Sequence, residues 1–203
     1  SSYSLGESTI KIEKLVDLAK QCNMPAIALT DNNNMFGILE FSIECQKKGI
    51  QPIIGTSINL LDISHDRMFA QISFLVMNEE GYENILYLSS ISHTKQDDYV
   101  GISIEEVLSH SKGLIGFIGG EYNPLLFYKL QNKFNELRQL LKSLQESFKS
   151  NFYIELQRIK NSELDDYEND IIKLAFDLKI PLISSNNIKF INKNDFNAHD
   201  ALL

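Results

Sequence analysis

Polar residues that could take part in chemistry follow two short apolar segments, at the point where each segment ends. Residues 26–29 form an apolar run of the length of a buried strand, and Asp31 and the asparagines at 32–34 come soon after it. A second apolar segment at 52–54 is followed by Ser57 two residues beyond a glycine. The C-terminal ends of strands are where parallel α/β folds build their sites. An Asp beside a His would suit metal-assisted hydrolysis, whereas an Asp beside amides offers few reactive groups.

The elements that must position these residues alternate between strand and helix patterns. Strands are predicted at 26–30, 52–59, 69–77, 114–118, 152–156 and 181–184. Helices are predicted after Ser8 or Thr9 as N-cap, at 35–48 with Asn34 as N-cap and Gly49 as terminator, at 81–92, 103–110, 133–149 and 162–178, and from Lys193 onward.

This alternation predicts an α/β fold, with a mostly parallel sheet or barrel and helices outside it. No linker rich in Pro, Gly or Ser and no internal repeat interrupts the pattern, so a single domain over residues 1–203 is expected. The chain opens where a first strand should already have ended. We therefore expect an N-terminal fragment of a larger chain, with its opening strand missing or truncated.

The composition is that of a water-soluble protein. Hydrophobic residues make up 43% of the 203, and no apolar run approaches the roughly 18 residues of a membrane-spanning helix. No signal peptide pattern opens the sequence. Cys22 and Cys45 fall in predicted helices without a pairing pattern, which fits a reducing cytoplasm.

The net charge of −8 argues against a broad nucleic-acid-binding face in these residues, because such faces depend on clustered Lys and Arg. The densest acidic run, at 163–170, falls in a predicted helix and is interpreted as a solvated face. If DNA matters to the protein, other parts of a larger chain are expected to bind it.

Several blocks of sequence, in this order along the chain, together resemble one family. They are Pro25-Ala-Ile-Ala-Leu-Thr-Asp31, Asn34-Met-Phe-Gly37, Gly49-Ile-Gln-Pro-Ile-Ile-Gly55, Gly81-Tyr-Glu-Asn-Ile-Leu86, Phe152-Tyr-Ile-Glu-Leu-Gln-Arg158, Ser184-Ser-Asn-Asn-Ile-Lys-Phe190 and Phe196-Asn-Ala-His-Asp200. The chain resembles the polymerase-and-histidinol-phosphatase (PHP) domain. More narrowly, it resembles the version at the N-terminus of the bacterial replicative DNA polymerase III alpha subunit.

The resemblance implies a distorted, seven-stranded, TIM-barrel-like (β/α) barrel that in active members holds a cluster of divalent metals at its strand ends. The family's opening His-x-His-Ser-x-Tyr-Ser motif would end on residues 1–4, which puts its two histidines upstream of Ser1. Zinc or manganese would be the metals of an active PHP site. Magnesium would belong to the polymerase domain of the parent protein.

Five of the six metal-ligand positions that can be matched to this sequence have lost their ligand. Asp31 keeps its carboxylate. The changed positions carry an amide, hydroxyl, alkyl or ammonium group where the family has His, Glu or Asp: Asn32, Ser57, Ile159, Asn187 and Lys189. The prediction is a degenerate site with no catalytic residue and no metal.

Two of these residues leave alternatives open. Asp31 could be a surviving ligand, although hydrogen bonding to the turn that enters the next helix is favoured. Lys189 could place its ammonium near Asp31 and hold a closed polar cluster with Asn32, Ser57 and Asn187, or it could point into solvent. For His199, a packing or hydrogen-bonding role is favoured over catalysis.

Three functions follow from this interpretation. The first is a non-catalytic scaffold that stabilises a replicative polymerase and docks another holoenzyme subunit, such as the proofreading exonuclease. In that case the parent chain is the DNA-directed DNA polymerase, and DNA is bound through the rest of it. The second is a metal-dependent 3′–5′ exonuclease or phosphoesterase. The third is a free-standing phosphoesterase unrelated to replication.

Overall fold

The computed structural model describes residues 1–65, 68–94, 99–120, 124–157 and 162–201. The strands in these residues are β1 (Ala26–Asn32), β2 (Gln51–His65), β3 (Met68–Val76), β4 (Leu114–Gly119), β5 (Phe152–Leu156) and β6 (Leu182–Ser184). The α-helices are α1 (Ile12–Gln21), α2 (Ile38–Lys48), α3 (Glu79–Thr94), α4 (Ile104–Ser109), α5 (Pro124–Leu130), α6 (Phe134–Phe148), α7 (Ser162–Leu178) and α8 (Phe196–Asp200).

The strands form one sheet whose order follows the chain from β1 to β6. The pairs β1–β2, β4–β5 and β5–β6 are parallel, as the alternation predicts. Strand β3 is the exception, because it pairs antiparallel with β4. The link from β2 to β3 is too short for the crossover that a parallel neighbour needs, so β3 runs in the reverse direction.

All six predicted strands are present, but the starts of two helices are wrong. Helix α1 begins at Ile12 after Lys11, so neither Ser8 nor Thr9 caps it. Helix α2 begins at Ile38 after Gly37 and not after Asn34. Helix α5 was not predicted. The predicted terminator Gly49 is confirmed, since it closes α2 in the left-handed conformation with a φ of 69°.

The chain divides into two compact units, and the first comprises Ser1–Ser57 with Ile188–Leu203. Its core lies between α1, α2 and the strand β1. The apolar residues at its centre are almost fully buried: Ile12, Val16, Ala19, Leu29, Phe41, Cys45 and Ile50. The apolar stripe of α1 thus lies in this core through Ile12, Val16 and Ala19, and Leu15 packs at its margin.

The second unit comprises Ile58–Asn187. Phe148 of α6 packs between Phe74 of β3 and Phe152 of β5, at ring-centre distances of 6.2 and 6.0 Å. Most of the apolar face of α6 is buried here, with Leu137, Leu140, Leu141 and Leu144, whereas Phe134 at the start of the helix is exposed. The prediction of one domain over residues 1–203 is not decided by this division into units and stays a prediction.

Candidate functional site

Asp31 lies at the C-terminal end of β1 and is 3% exposed. Its Oδ2 accepts a hydrogen bond from the Ser1 hydroxyl at 2.7 Å, and its Oδ1 accepts one from the Ser4 hydroxyl at 2.8 Å. The backbone nitrogen of Ser1 also contacts Oδ1. The donors therefore come from the segment that precedes α1. The favoured expectation, that the turn entering the next helix would supply them, is wrong.

That turn is satisfied by Asn34 instead. The Asn34 Oδ1 accepts from the Phe36 backbone N–H at 3.2 Å, and its Nδ2 donates to the carbonyls of Asn32 and Tyr3 at 2.9 and 3.0 Å. An amide that bonds the backbone two residues on forms an Asx turn, so Asn34 supplies side-chain hydrogen bonds to this turn. Asn34 is consequently a turn residue that precedes the helix and not its N-cap.

Ser4 and Thr56 fix the two strand ends around Asp31. The Ser4 oxygen that donates to Asp31 also accepts from the Asn32 backbone N–H at 3.1 Å. The hydroxyl of Thr56, which is fully buried on β2, donates to the Asp31 carbonyl at 2.7 Å. A hydroxyl can donate once and accept twice, so both serines and threonines suit buried positions of this kind.

Lys189 is paired with Glu7, a residue that the sequence analysis did not single out. The Lys189 ammonium lies 3.7 Å from Glu7 Oε2, and the Lys189 side chain is only 17% exposed. The Asn32 side-chain amide donates to the same carboxylate oxygen. Lys189 therefore lies in a polar cluster, and the anion found beside its ammonium is Glu7, a residue other than the predicted Asp31. The alternative, a Lys189 side chain that simply points into solvent, does not agree with its low exposure.

The backbone around Glu7 and Lys189 is bonded as well. The Lys189 carbonyl accepts from the Thr9 N–H at 3.1 Å and from the Ser8 hydroxyl at 3.2 Å, so these residues anchor the segment instead of capping α1. His199 is buried, and its Nε2 lies 2.8 Å from the Glu7 carbonyl. The packing or hydrogen-bonding role expected for His199 is confirmed.

The remaining predicted positions differ in where they lie. Ser57, at the end of the first unit, is buried, and its carbonyl accepts from the Asn33 N–H at 2.7 Å. Asn187 belongs to the second unit and is exposed. Ile159 lies outside the described residues. Four of the six positions, Asp31, Asn32, Ser57 and Lys189, are thus gathered in the first unit.

The metal cluster that the resemblance implies does not fit these side chains. Within the described ranges there is no group of three or more His, Cys, Asp and Glu placed to hold a metal ion. The carboxylate of Asp31 is bonded by Ser1 and Ser4, and the carboxylate of Glu7 is paired with Lys189. Several divalent cations need more anionic ligands than this arrangement supplies.

A second polar group lies at strand ends in the second unit. The Ser185 hydroxyl donates to the Glu155 carboxylate, and the Gln157 amide donates to the Ser185 oxygen at 3.2 Å. Gln157 Oε1 is buried and has no hydrogen-bond partner among the described atoms. Glu155 and Ser185 were not predicted as site residues, although both fall in blocks that carry the family resemblance.

No helix in the described part of the chain combines the length and apolar character needed to cross a membrane.

At the surface of the first unit, the Tyr3 hydroxyl donates to Glu40 at 3.0 Å. That hydrogen bond to the Glu40 carboxylate raises the pKa of Tyr3, because the carboxylate stabilises the protonated phenol.

Comparison with known proteins identifies relatives of the whole chain. The sequence profile of the PHP domain matches residues 1–159. The DNA polymerase III subunit alpha of Rickettsia conorii is 40% identical over 208 residues, covering 100% of this chain and 17% of the relative. Those of Caulobacter vibrioides and Borreliella burgdorferi are 34% and 33% identical, and each match covers 18% of the relative. The chain therefore spans about one-sixth of the length of these curated relatives.

Solved structures show the same fold at low sequence identity. An amidohydrolase from Chromobacterium violaceum aligns with a TM-score of 0.57 and 11% identity, covering 97% of this chain and 93% of that one. A two-domain protein from Bacteroides vulgatus that contains a predicted PHP-like metal-dependent phosphoesterase aligns with a TM-score of 0.56 and 14% identity, covering 98% and 53%. These likenesses confirm the predicted fold class.

Proposed function

The chain belongs to the PHP domain family, and from that membership we propose that it is the PHP domain of a DNA polymerase III alpha subunit, where it acts as a scaffold without metal or catalysis. The three relatives named above, each matched over 100% of this chain, carry that polymerase name. In this role the domain stabilises the polymerase and docks another holoenzyme subunit, such as the proofreading exonuclease.

One observation carries this proposal: Asp31 and Asn32 at the end of β1, together with Glu7 and Lys189, have hydrogen-bond or ionic partners within the chain. Asp31 is bonded by two serine hydroxyls, and Lys189 and Asn32 both bond Glu7. A buried carboxylate without a metal is costly unless donors surround it. The serine hydroxyls and the Lys189 ammonium stabilise the carboxylates of Asp31 and Glu7, as bound metals would otherwise do. These polar residues therefore contribute stability and not chemistry.

The proposal assigns DNA and the catalytic metal to other parts of the parent protein. A net charge of −8 on this chain disfavours a phosphate-binding face here. DNA binding and the magnesium-dependent nucleotidyl transfer belong to the rest of the polymerase under this proposal. The setting would be the cytoplasmic replisome.

The alternative is a metal-dependent 3′–5′ exonuclease or phosphoesterase of the PHP type, which would use zinc or manganese. The retained Asp31 at a strand end favours it, as does Glu155 at the end of β5. Against it stand the amide at Asn32, the hydroxyl at Ser57 and the cation at Lys189. We therefore keep it as the second candidate.

Metal titration distinguishes the two candidates. Calorimetric titration of the chain with Mn²⁺ and Zn²⁺ should give no heat of specific binding, and a chromogenic phosphodiester should not be hydrolysed. Asp31→Asn is the matched variant, since it removes the retained carboxylate at nearly constant volume. Binding of two or more ions, or hydrolysis that Asp31→Asn abolishes, would reject the scaffold in favour of the enzyme.

The link to replication is tested separately by the full-length gene product. A polymerase sequence in the same polypeptide, as in the relatives, is the expected result. A gene product without polymerase sequence would remove the main support for the proposal and favour a free-standing PHP protein.

A further inference from the structure

A cavity of about 340 Å³ opens in the second unit between α6 and α7, and we call it the α6–α7 cavity. Its apolar floor consists of Leu125 of α5, Leu137 of α6 and Ile171 of α7, which are almost fully buried. Small-molecule sites in proteins have volumes of roughly 300–1,000 Å³ and mostly apolar linings. The α6–α7 cavity therefore has the size and the floor of a site for a small molecule.

The charged side chains that line the α6–α7 cavity are not equally available to a ligand. The Arg138 guanidinium lies 3.5 Å from the Asp177 carboxylate, and this ion pair joins α6 to α7. Asp170 is engaged in an interaction of its own. For Lys173, the described residues supply neither an ion pair nor a hydrogen bond. The charge that is left for a ligand to neutralise is therefore positive.

Asn135 on α6 adds a neutral hydrogen-bond donor to the cavity lining. Its amide has no hydrogen-bond partner in the part of the chain that the structure describes. Amide N–H groups and ammonium groups both donate to carboxylate oxygens, and the bond from an ammonium is the stronger of the two. Phe134, which is 49% exposed, and the half-buried Leu174 provide apolar surface in the same lining.

We propose that the α6–α7 cavity binds a small monocarboxylic acid with an apolar body, of the size of a medium-chain fatty acid. The carboxylate accepts hydrogen bonds from the Lys173 ammonium and the Asn135 amide. The apolar body lies against Leu137, Ile171 and Leu174, and its burial supplies most of the affinity. The site lies within the second unit and does not depend on the proposed function.

The lining favours this class of ligand over two others. A phosphate monoester carries nearly two negative charges, whereas one lysine is free to neutralise them and the carboxylates of Asp170 and Asp177 line the same cavity. A peptide chain would bring backbone N–H and C=O groups against the leucine and isoleucine side chains of the floor, where they would lack hydrogen-bond partners. A single carboxylate on an apolar body avoids both costs.

Photoaffinity labelling of the full-length gene product tests the proposal. The probe is an octanoate that carries a photoreactive diazirine on its alkyl chain, and mass spectrometry locates the crosslinks peptide by peptide. Peptides of α6 should be labelled, and unmodified octanoate should compete whereas octylammonium should not. Lys173→Glu should lower the labelling of α6 at least about tenfold, because it replaces a charge-assisted hydrogen bond with repulsion. The labelled helix does not contain the substitution, so its own reactivity is unchanged.

Lys142→Glu is the matched control, because Lys142 is an exposed lysine of α6 outside the cavity lining and its replacement changes the net charge equally. This variant should be labelled like the wild type. Lys173→Gln removes the charge at similar length and should also reduce labelling, so it replaces Lys173→Glu if that variant melts at a lower temperature.

Three results would each overturn the proposal. The first is α6 labelling no stronger than that of the rest of the surface. The second is an equal loss of labelling in Lys142→Glu and Lys173→Glu, which would mean that overall charge and not this site attracts the probe. The third is competition by octylammonium as effective as that by octanoate, which would mean that the aspartates of the cavity select the ligand.

Discussion

At the scale of single residues, hydrogen bonds and an ion pair join the polar side chains around Asp31 and Lys189. The hydroxyls of Ser1 and Ser4 donate hydrogen bonds to the two carboxylate oxygens of Asp31. The cation at Lys189 pairs with Glu7, whose backbone carbonyl is contacted by His199. Each group that would be costly to bury alone has a partner. Stability of the first unit should therefore depend on these residues.

The Lys189–Glu7 pair gives a prediction at this scale. Lys189→Ala should lower the free energy of unfolding by about 1 kcal/mol, because a partly buried carboxylate loses its cation and the lysine stem loses its packing. For a chain of this size we expect the melting temperature to fall by about 2–4 °C. Differential scanning calorimetry is the measurement.

Lys47→Ala is the control for that change. Lys47 also pairs with a glutamate, but its side chain is 62% exposed, so its loss should leave the melting temperature nearly unchanged. If both variants melt at the same temperature as the wild type, the Lys189–Glu7 pair contributes no stability, and the polar cluster that contains it does not act as proposed.

At the scale of elements, α1 and α2 pack through small and apolar residues that include one cysteine. Cys45 on α2 is fully buried in this core, whereas Cys22 follows the end of α1 and is exposed. Burial raises the pKa of the Cys45 thiol, and the neighbouring Glu44 carboxylate adds to the effect. The two cysteines should therefore behave differently in solution.

Thiol modification of the native chain tests this difference. One thiol, that of Cys22, should react quickly with iodoacetamide, and Cys45 should react only when the chain unfolds, because the reactive thiolate is both buried and disfavoured. Mass spectrometry of the peptides identifies the modified residue. Rapid modification of Cys45 in the folded chain would contradict the packing of α1 on α2.

The same shift affects stability at alkaline pH. A pKa that is raised in the folded state means that the unfolded chain releases its proton first. The stability that the protonated Cys45 thiol gives the folded state is thus fully present below the ordinary thiol pKa of about 8.5. It is lost as the pH rises above that value. Urea unfolding between about pH 8 and about pH 9.5 should show this decline, and Cys45→Ala should make it shallower.

In the second unit, the backbone of α3 at Gly81 lies very close to the backbone of Gly113, and this contact gives another prediction. A Cβ added to Gly81 on α3 would lie closer than any real contact to the backbone of Gly113, in the turn before β4. Gly81→Ala should therefore destabilise the chain by about 3 kcal/mol or prevent folding, because backbone atoms cannot move aside cheaply.

Gly49→Ala provides the comparison for this backbone contact. Gly49 has a φ of 69° but open space around its Cβ position, so the cost should be only about 1 kcal/mol from the left-handed conformation. Chemical denaturation of both variants measures the difference. Equal effects would mean that helix α3 does not approach the β4 turn as closely as described.

At the scale of the whole molecule, the proposed function places this chain within a larger polymerase. The chain carries a net charge of −8, and each of its two compact units has its own apolar core. Its relatives among DNA polymerase III alpha subunits are matched over about one-sixth of their length. Functions that need DNA are consequently expected to depend on residues outside this chain.

DNA binding by the chain alone tests that expectation. Fluorescence anisotropy with labelled single- and double-stranded DNA should show no binding at low salt, where electrostatic attraction to phosphates is strongest. The full-length gene product, under the same conditions, is expected to bind. Salt-sensitive binding by the 203-residue chain would assign a nucleic-acid face to these residues and contradict the division of roles.

The sequence by itself determined the local structure and the family. All six strands, the terminator Gly49 and the full extent of α7 and β5 follow from apolar spacing and turn residues, which act over a few positions along the chain. The amide of Asn32, the hydroxyl of Ser57 and the ammonium of Lys189 can also be read directly from the sequence, and the expectation of a site without metal rests on these residue types.

Only the tertiary structure decided which groups meet. Glu7 and Lys189 stand near opposite ends of the chain, and no local pattern indicates their pairing. The donors to Asp31 and the reversed direction of β3 were likewise not predicted. The physical reason is that periodicity reports which side of an element faces a core, whereas partners and strand direction depend on how chain connections bring distant elements together.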